Sequence, residues 1–219
     1  MERDADLTKK IRRKCKKFGA DIIGIADPKY FDRYPKKNQP ENFLKDSRSV
    51  VILGLHINDI FLDAYYQDKK GYFHFADSIL ETICCKLKDL LMKEGFTSEI
   101  ITYNPGFYLK EISALAGIGS IGKNNLLITE EFGSQVRLRA LTTTAPLVCG
   151  EPILESEYCK DCDLCMKACP ADAFSEGTYN REKCLSYNLS NLKKISDNIE
   201  IWCNVCIEAC PMSEKALKK

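Results

Sequence analysis

The sequence predicts an α+β domain followed by a small domain folded around metal clusters. Three observations lead there. Helical and strand-like stretches succeed one another without the regular β-α-β order of a parallel sheet. Eight of the twelve cysteines stand at or beyond Cys159. Those eight include two runs at metal-ligand spacing. A chain of 219 residues can bury one ordinary core and a small satellite, since domains run to roughly 100–200 residues.

Leu7, Ile11, Cys15 and Phe18 make one apolar stripe at helical spacing, with lysines and arginines on the other face, and Gly19 ends that helix. The charge run reads as a solvated face. "DIIGIAD" follows as a short buried strand and "YFDRYPKKNQPEN", rich in Pro and Asn, as a loop. "RSVVILGLHI" is a β-branched run bounded by polar residues, hence a buried strand. From 75 to 94 the apolar positions Ile79, Leu80, Ile83, Cys84, Leu87, Leu90 and Leu91 recur at three and four, and Gly95 caps a long helix. Cys84 on that stripe and Cys85 on its border are read as packing residues. "SEIITY" is a third strand, "YLKEISALA" a helix, and "SQVRLRALTTT" a fourth strand. "APLVCGEPILESEY" is the linker, which divides the chain into domains 1–155 and 156–219.

Net charge is +1, which gives no whole-chain argument for a polyanionic partner. No apolar segment approaches the roughly 20 residues of a membrane span. The Arg12-Arg13 pair lacks a following apolar stretch, so no export signal, no membrane partner and a cytoplasmic location are expected. Without export, clustered cysteines favour metal over disulfides.

"CKDCDLCMKACP" supplies Cys159, Cys162, Cys165 and Cys169 followed by Pro170. This is the C-x2-C-x2-C-x3-C-P run of a bacterial two-cluster ferredoxin. "IEIWCNVCIEACP" repeats it with Cys203, Cys206, Cys210 and Pro211, but Glu200 stands where a first cysteine would complete the copy. The third cysteine of each run and its proline favour a cubane over zinc, which needs only short pairs. Two cubanes need eight thiolates and the runs supply seven. Either one cluster is incomplete or the eighth ligand comes from elsewhere.

"AGIGSIGKNN" has three readings. Gly117, Gly119 and Gly122 fit a dinucleotide fingerprint, but a helix precedes them where a strand is required. Gly117 to Lys123 fits a phosphate loop, but Asn124 follows where Ser or Thr would hold magnesium. The third reading is a helix ending in a glycine-rich turn.

Taken in order, "AGIGSIGKNNLL", "FGSQVRLRALTTTAPL", "CKDCDLCMKACPADAF", "KCLSYN" and "CNVCIEACP" resemble the epoxyqueuosine reductase family, iron-sulfur and cobalamin enzymes related to the reductive dehalogenases. Weaker echoes are "GADIIGIAD", "RSVVILGLH" and "GYFHF". The resemblance implies a nitroreductase-like cobalamin-binding domain over 1–155 and a ferredoxin-like domain with two 4Fe-4S clusters over 156–219. It also implies that Cys184 of "KCLSYN" is the eighth ligand. With the crossed topology of ferredoxins, one cluster then takes Cys159, Cys162, Cys165 and Cys210, and the other Cys169, Cys184, Cys203 and Cys206. Cobalamin is expected with its base off cobalt. Gly117, Gly119, Ser120, Ile121, Gly122, Lys123 and Asn124 would lie against it, with Ser134, Thr142 and Thr143 as further contacts.

Three departures shape the functional expectation. Tyr103 stands where the family carries a proton-donating aspartate, so Tyr103 is the expected catalytic residue, with Lys110 or Lys123 as a cation that lowers its pKa. Ser120 replaces a bulky aromatic residue. The sequence given stops nine residues after Cys210, which reads as a short form without the family's helical repeats, and transfer RNA is therefore not expected as a partner. The expected function is a cobalamin-dependent iron-sulfur reductase whose clusters relay electrons to cobalt to reach Co(I). Its substrate, a small molecule or a corrinoid protein, is unidentified, and its electron donor is a low-potential ferredoxin or flavodoxin. Two alternatives are an activator that reduces the corrinoid of a partner protein and a ferredoxin module with a flavin-binding domain.

Overall fold

The computed structural model describes residues 2–68, 71–175 and 178–213. Helix α1 (Ala5–Phe18) begins where the Asp4 side chain accepts the Leu7 N–H and ends at Gly19 in the left-handed region, as an N-cap and a glycine stop should. Strands β1 (Ile22–Ala26) and β2 (Ser49–His56) follow, joined by a segment of short 3-10 turns around Pro28 and Pro40. Then come the one-turn α2 (Ile60–Asp63), the hairpin β3 (Tyr65–Asp68) and β4 (Gly71–His74), and the long α3 (Phe75–Lys93). After α3 the chain forms β5 (Ser98–Ile100), α4 (Leu109–Leu115), a second hairpin of β6 (Gly119–Ile121) and β7 (Leu127–Thr129), and β8 (Val136–Thr143).

The central sheet has the order β1-β2-β8-β5 and every pair in it is antiparallel. Strand β2 shows why its sequence is apolar throughout. Val51, Leu53 and Leu55 point into one core with Leu7, Ile11, Leu80, Ile83 and Leu87 from α1 and α3. Val50 and Ile52 point into the other with Phe31, Phe107 and Ile112. Successive strand residues face opposite sides, so a strand covered on both faces cannot alternate with polar residues. This is the α+β fold expected, and the main strands and helices lie where the periodicity put them. Ile79, on the expected stripe of α3, is exposed.

The cysteine-rich part holds α5 (Leu164–Lys167), α6 (Arg181–Ser190), the hairpin β9 (Lys193–Ser196) and β10 (Ile199–Ile201), and α7 (Val205–Glu208). Helices α5 and α7 pack on each other. Strand β10 pairs antiparallel with β3, giving a sheet of order β4-β3-β10-β9 that contains strands from both sides of residue 156. The three short hairpins, β3–β4, β6–β7 and β9–β10, leave no clear mark in the sequence, because strands of three or four residues carry too little alternation to stand out.

Candidate functional site

The eight cysteines expected as ligands fall into two groups of four. Cys159, Cys162, Cys165 and Cys210 line a cavity of about 160 Å³. Cys169, Cys184, Cys203 and Cys206 line a second, of about 290 Å³. Each run thus sends its last cysteine, Cys169 or Cys210, to the cavity of the other, through the packing of α5 on α7. Among the described residues no three Cys, His, Asp or Glu side chains converge on a single-ion site, so each quartet surrounds a space. Burial, then Cys203, Cys184, Cys165 and Cys169, pushes the Cys206 thiol up to about 12. Burial and then Cys210, Cys159 and Cys162 also raise Cys165. Thiols so crowded cannot ionise together unless cations sit between them. The donor set therefore fits two iron-sulfur clusters.

Helix α6 brings Cys184 to the second quartet and adds a residue that the sequence reading left unused. Asn188, one turn after Cys184 and the last residue of "KCLSYN", accepts the Cys203 N–H at 2.6 Å with Oδ1 and donates through Nδ2 to the Cys184 carbonyl at 2.9 Å. Its Nδ2 also lies 3.6 Å from Cys184 Sγ. Buried Asn188 therefore ties together two segments that supply thiols to one cavity.

The glycine loop lies against the cysteine-rich part. Lys123 Nζ donates to the Cys162 carbonyl at 2.9 Å and to that of Lys160 at 3.3 Å. Buried Asn124 borders both cavities; its Oδ1 accepts the Leu126 N–H and its Nδ2 lies 3.4 Å from Ser134 Oγ. Ser134 in turn meets Ser213 Oγ at 3.1 Å. Neither nucleotide reading survives this geometry, because the loop leads into the β6–β7 hairpin and its lysine is committed to carbonyls. The glycines serve the chain itself. A Cβ on Gly119 would stand 2.2 Å from the Ile128 carbonyl oxygen, and Gly117 has φ +72 with Glu151 O in the way.

The residues expected against the corrin do not form one open cradle. Ser120 is buried in β6, and Ile121 is half-buried beside Gly122, which packs on Ile128. Thr142 and Thr143 lie in the packed part of β8, fully buried, with their hydroxyls held by Ser47 and by the Thr97 carbonyl. Eight residues of extended chain, roughly 25 Å, separate Thr142 from Ser134. A third, open groove of about 560 Å³ includes Gly117 with Arg12, Glu130 and Glu151; of the expected contacts it takes Gly117 alone.

Tyr103 sits in the turn before α4 with its ring half exposed and its hydroxyl turned inward. Its O–H donates to Asp77 Oδ1 at 2.6 Å. Asp77, at the start of α3, receives the Arg137 guanidinium on both oxygens at 2.7 Å. Arg139 stands 5.0 Å from the centre of the Tyr103 ring. Burial and then the Asp77 carboxylate push the phenol up to about 12. Burial opposes ionisation of Asp77, but Arg137 outweighs it and holds the carboxyl below its ordinary range. The expected cation is therefore corrected. Lys110 donates to the Asn125 carbonyl and Lys123 to the cysteine loop, so the cations beside Tyr103 are arginines of β8, and the phenol is raised, not lowered. Arg137 also reaches Tyr65 Oη at 3.2 Å, and the Tyr65 ring lies tilted against Trp202, 5.8 Å between ring centres; Trp202 borders the second cysteine cavity. His74 packs its ring on Tyr65.

An antiparallel α+β sheet joined to two four-cysteine cavities defines an iron-sulfur oxidoreductase. The 4Fe-4S binding domain family matches residues 152–175. An epoxyqueuosine reductase of Synechocystis sp. is 32% identical over 225 residues, covering 90% of this chain and 71% of that protein. One of Prochlorococcus marinus is 27% identical over 257 residues, with 98% and 81% covered. The chain belongs to the epoxyqueuosine reductase family.

Solved structures show the same fold. A selenomethionine-labelled epoxyqueuosine reductase aligns with TM-score 0.74 at 22% identity, over 95% of this chain and 66% of that one. An epoxyqueuosine reductase with an epoxyqueuosine-modified tRNA-Tyr stem loop aligns with TM-score 0.71 at 21% identity, over 95% and 66%. A reductive dehalogenase described for B12-dependent dehalogenation aligns with TM-score 0.66 at 15% identity, over 98% and 34%. The cofactor classes expected from sequence, 4Fe-4S and cobalamin, agree with these relatives.

The expectation about transfer RNA is overturned. The fold has been solved with a tRNA stem loop on an epoxyqueuosine reductase; neither the point at which the given sequence stops nor its balanced net charge argues against such a partner, since a local surface suffices to hold a stem loop. No described helix is long and apolar enough to cross a membrane.

Proposed function

We propose that this chain reduces epoxyqueuosine in transfer RNA, using two 4Fe-4S clusters and cobalamin, with Tyr103 as proton donor. The observation that carries the reading is the division of eight cysteines into two quartets that meet at Asn124 of the glycine loop, in a chain of this family. When bound, these cofactors supply the two electrons of the reduction. The chain does the rest. Cys159, Cys162, Cys165 and Cys210 would hold one cluster, and Cys169, Cys184, Cys203 and Cys206 the other. Tyr103 would give a proton to the reduced substrate, a role that needs reach before it needs a matched pKa.

Anaerobically reconstituted protein, given a low-potential reductant, cobalamin and an epoxyqueuosine-modified tRNA stem loop, should convert the nucleoside, read by mass spectrometry. No conversion despite full iron and bound cobalamin would move the substrate to another class. Tyr103→Phe should lower turnover at least roughly a hundredfold, the usual contribution of a general acid, while keeping iron and cobalamin.

A further inference from the structure

The reading of Tyr103 as a donor leaves Asp77 unexplained, because a tyrosine whose proton is already held by a carboxylate is a poor candidate for immediate transfer. The geometry is nevertheless complete. Asp77 comes from the first turn of α3, Arg137 from β8 and Tyr103 from the turn before α4, so three separate elements converge. The two Asp77–Arg137 contacts at 2.7 Å are bidentate, and this fork fixes the plane of the carboxylate. The carboxylate then fixes the phenol at 2.6 Å. Arg137 and Arg139, two residues apart on β8, project from the same side of the strand, with guanidinium carbons 5.7 and 5.0 Å from the Tyr103 ring centre. Arg139 is buried, its Nε has no partner, and its contact to the exposed Glu81 is a long 3.5 Å.

We infer that Asp77 is the positioning residue of the proton-delivery step: clamped by Arg137, it holds the Tyr103 hydroxyl in place and protonated until the reduced substrate takes the proton. This rests on the proposed role of Tyr103. The step begins from a substrate that carries a basic atom once it has been reduced by the two electrons the cofactors would supply when bound. The phenol O–H bond breaks, the proton moves to that atom, and the electron pair stays on the phenolate oxygen. Arg139, with unused donor capacity, and Arg137 offset the new negative charge, which Asp77 alone would oppose. Solvent reprotonates the tyrosine, a residue that is 46% exposed. Asp77 thus keeps the acid loaded and aligned, while the arginines allow it to discharge.

The test uses the full-length protein with its tyrosines labelled at the ring carbon bearing oxygen, and Tyr103→Phe identifies the resonance. In the wild type the Tyr103 resonance should titrate above the ordinary phenol value, toward about 12. Asp77→Asn should bring that titration down by at least about one pH unit, because the opposing charge is gone and both arginines remain. In the reconstituted enzyme the same variant should move the basic limb of the pH–rate profile down in step. An unchanged titration and an unchanged limb would overturn the inference. If Asp77→Asn does not fold, Asp77→Glu, which keeps the charge but shifts the carboxylate, should also move both readouts, and no movement overturns it. Failure of the parent reading looks different: Tyr103→Phe would then turn over normally. Slow Tyr103→Phe with unaltered Asp77 variants would sink the positioning role alone.

Discussion

Lys123 Nζ lies 2.9 Å from the carbonyl oxygen of Cys162, so the lysine of a glycine loop that looks like a phosphate binder is spent on the backbone of a cluster-binding run. A cation there would favour the more negative, reduced state of a cluster in the first cavity. Lys123→Met should leave iron content unchanged and make the reduction potential of that cluster more negative, measured by redox titration of the electron paramagnetic resonance signal. An unmoved potential would mean the lysine only pins the loop.

The iron count tests the ligand sets. The intact protein should carry about eight iron atoms, four per cluster, and Cys184→Ala should lose up to half of them. Cys15→Ala and Cys149→Ala, outside both cavities, should keep the full count. Full iron in the Cys184 variant would remove that residue from the second quartet. Asn188→Ala should bind the second cluster less firmly, because removing such supporting contacts typically costs 10–100-fold in affinity; faster loss of about four irons to a chelator is the readout.

Cobalamin added to the protein should bind with its base off cobalt and without a protein imidazole in its place. His74 is buried against Tyr65 and His56 lies over the Phe132 ring, so neither is presented as a free ligand. The Co(II) form should show no nitrogen splitting in its paramagnetic resonance spectrum; clear splitting would refute this.

His74 also predicts a pH dependence of stability. Burial first, then the Arg137 charge, lowers its pKa from 6.5 to about 4, against a smaller opposing effect of Asp77. The unfolded chain therefore binds a proton at this site before the folded one does. Above about pH 6.5 the site adds no slope, and as pH falls from there toward about 4 stability should be lost, by up to about 1.4 kcal/mol per pH unit. His74→Phe should remove that part of the slope in urea unfolding series. Equal slopes in the two proteins would show that the imidazole is hydrated or protonated in the fold.

The sequence by itself determined the elements and the metal chemistry. The run of β2 is apolar at every step because both of its faces are covered, and the stripes of α1 and α3 repeat at the helical period, so these elements announce their own burial. The cysteine spacing likewise encodes a local wrap around a cluster, and motif order along the chain supplied the family. What it could not determine was which distant groups would meet. Asp77, Tyr103 and Arg137 are separated by 26 and 34 positions and carry no mutual spacing rule; only the packing of α3 on β8 makes them a constellation. In the same way the glycines looked like room for a ligand, because a missing Cβ says that something approaches closely without saying what. The tertiary structure decided that the approaching atoms at Gly119 and Gly117 are the protein's own carbonyls at Ile128 and Glu151, since close approach is a property of the folded surface and not of the loop.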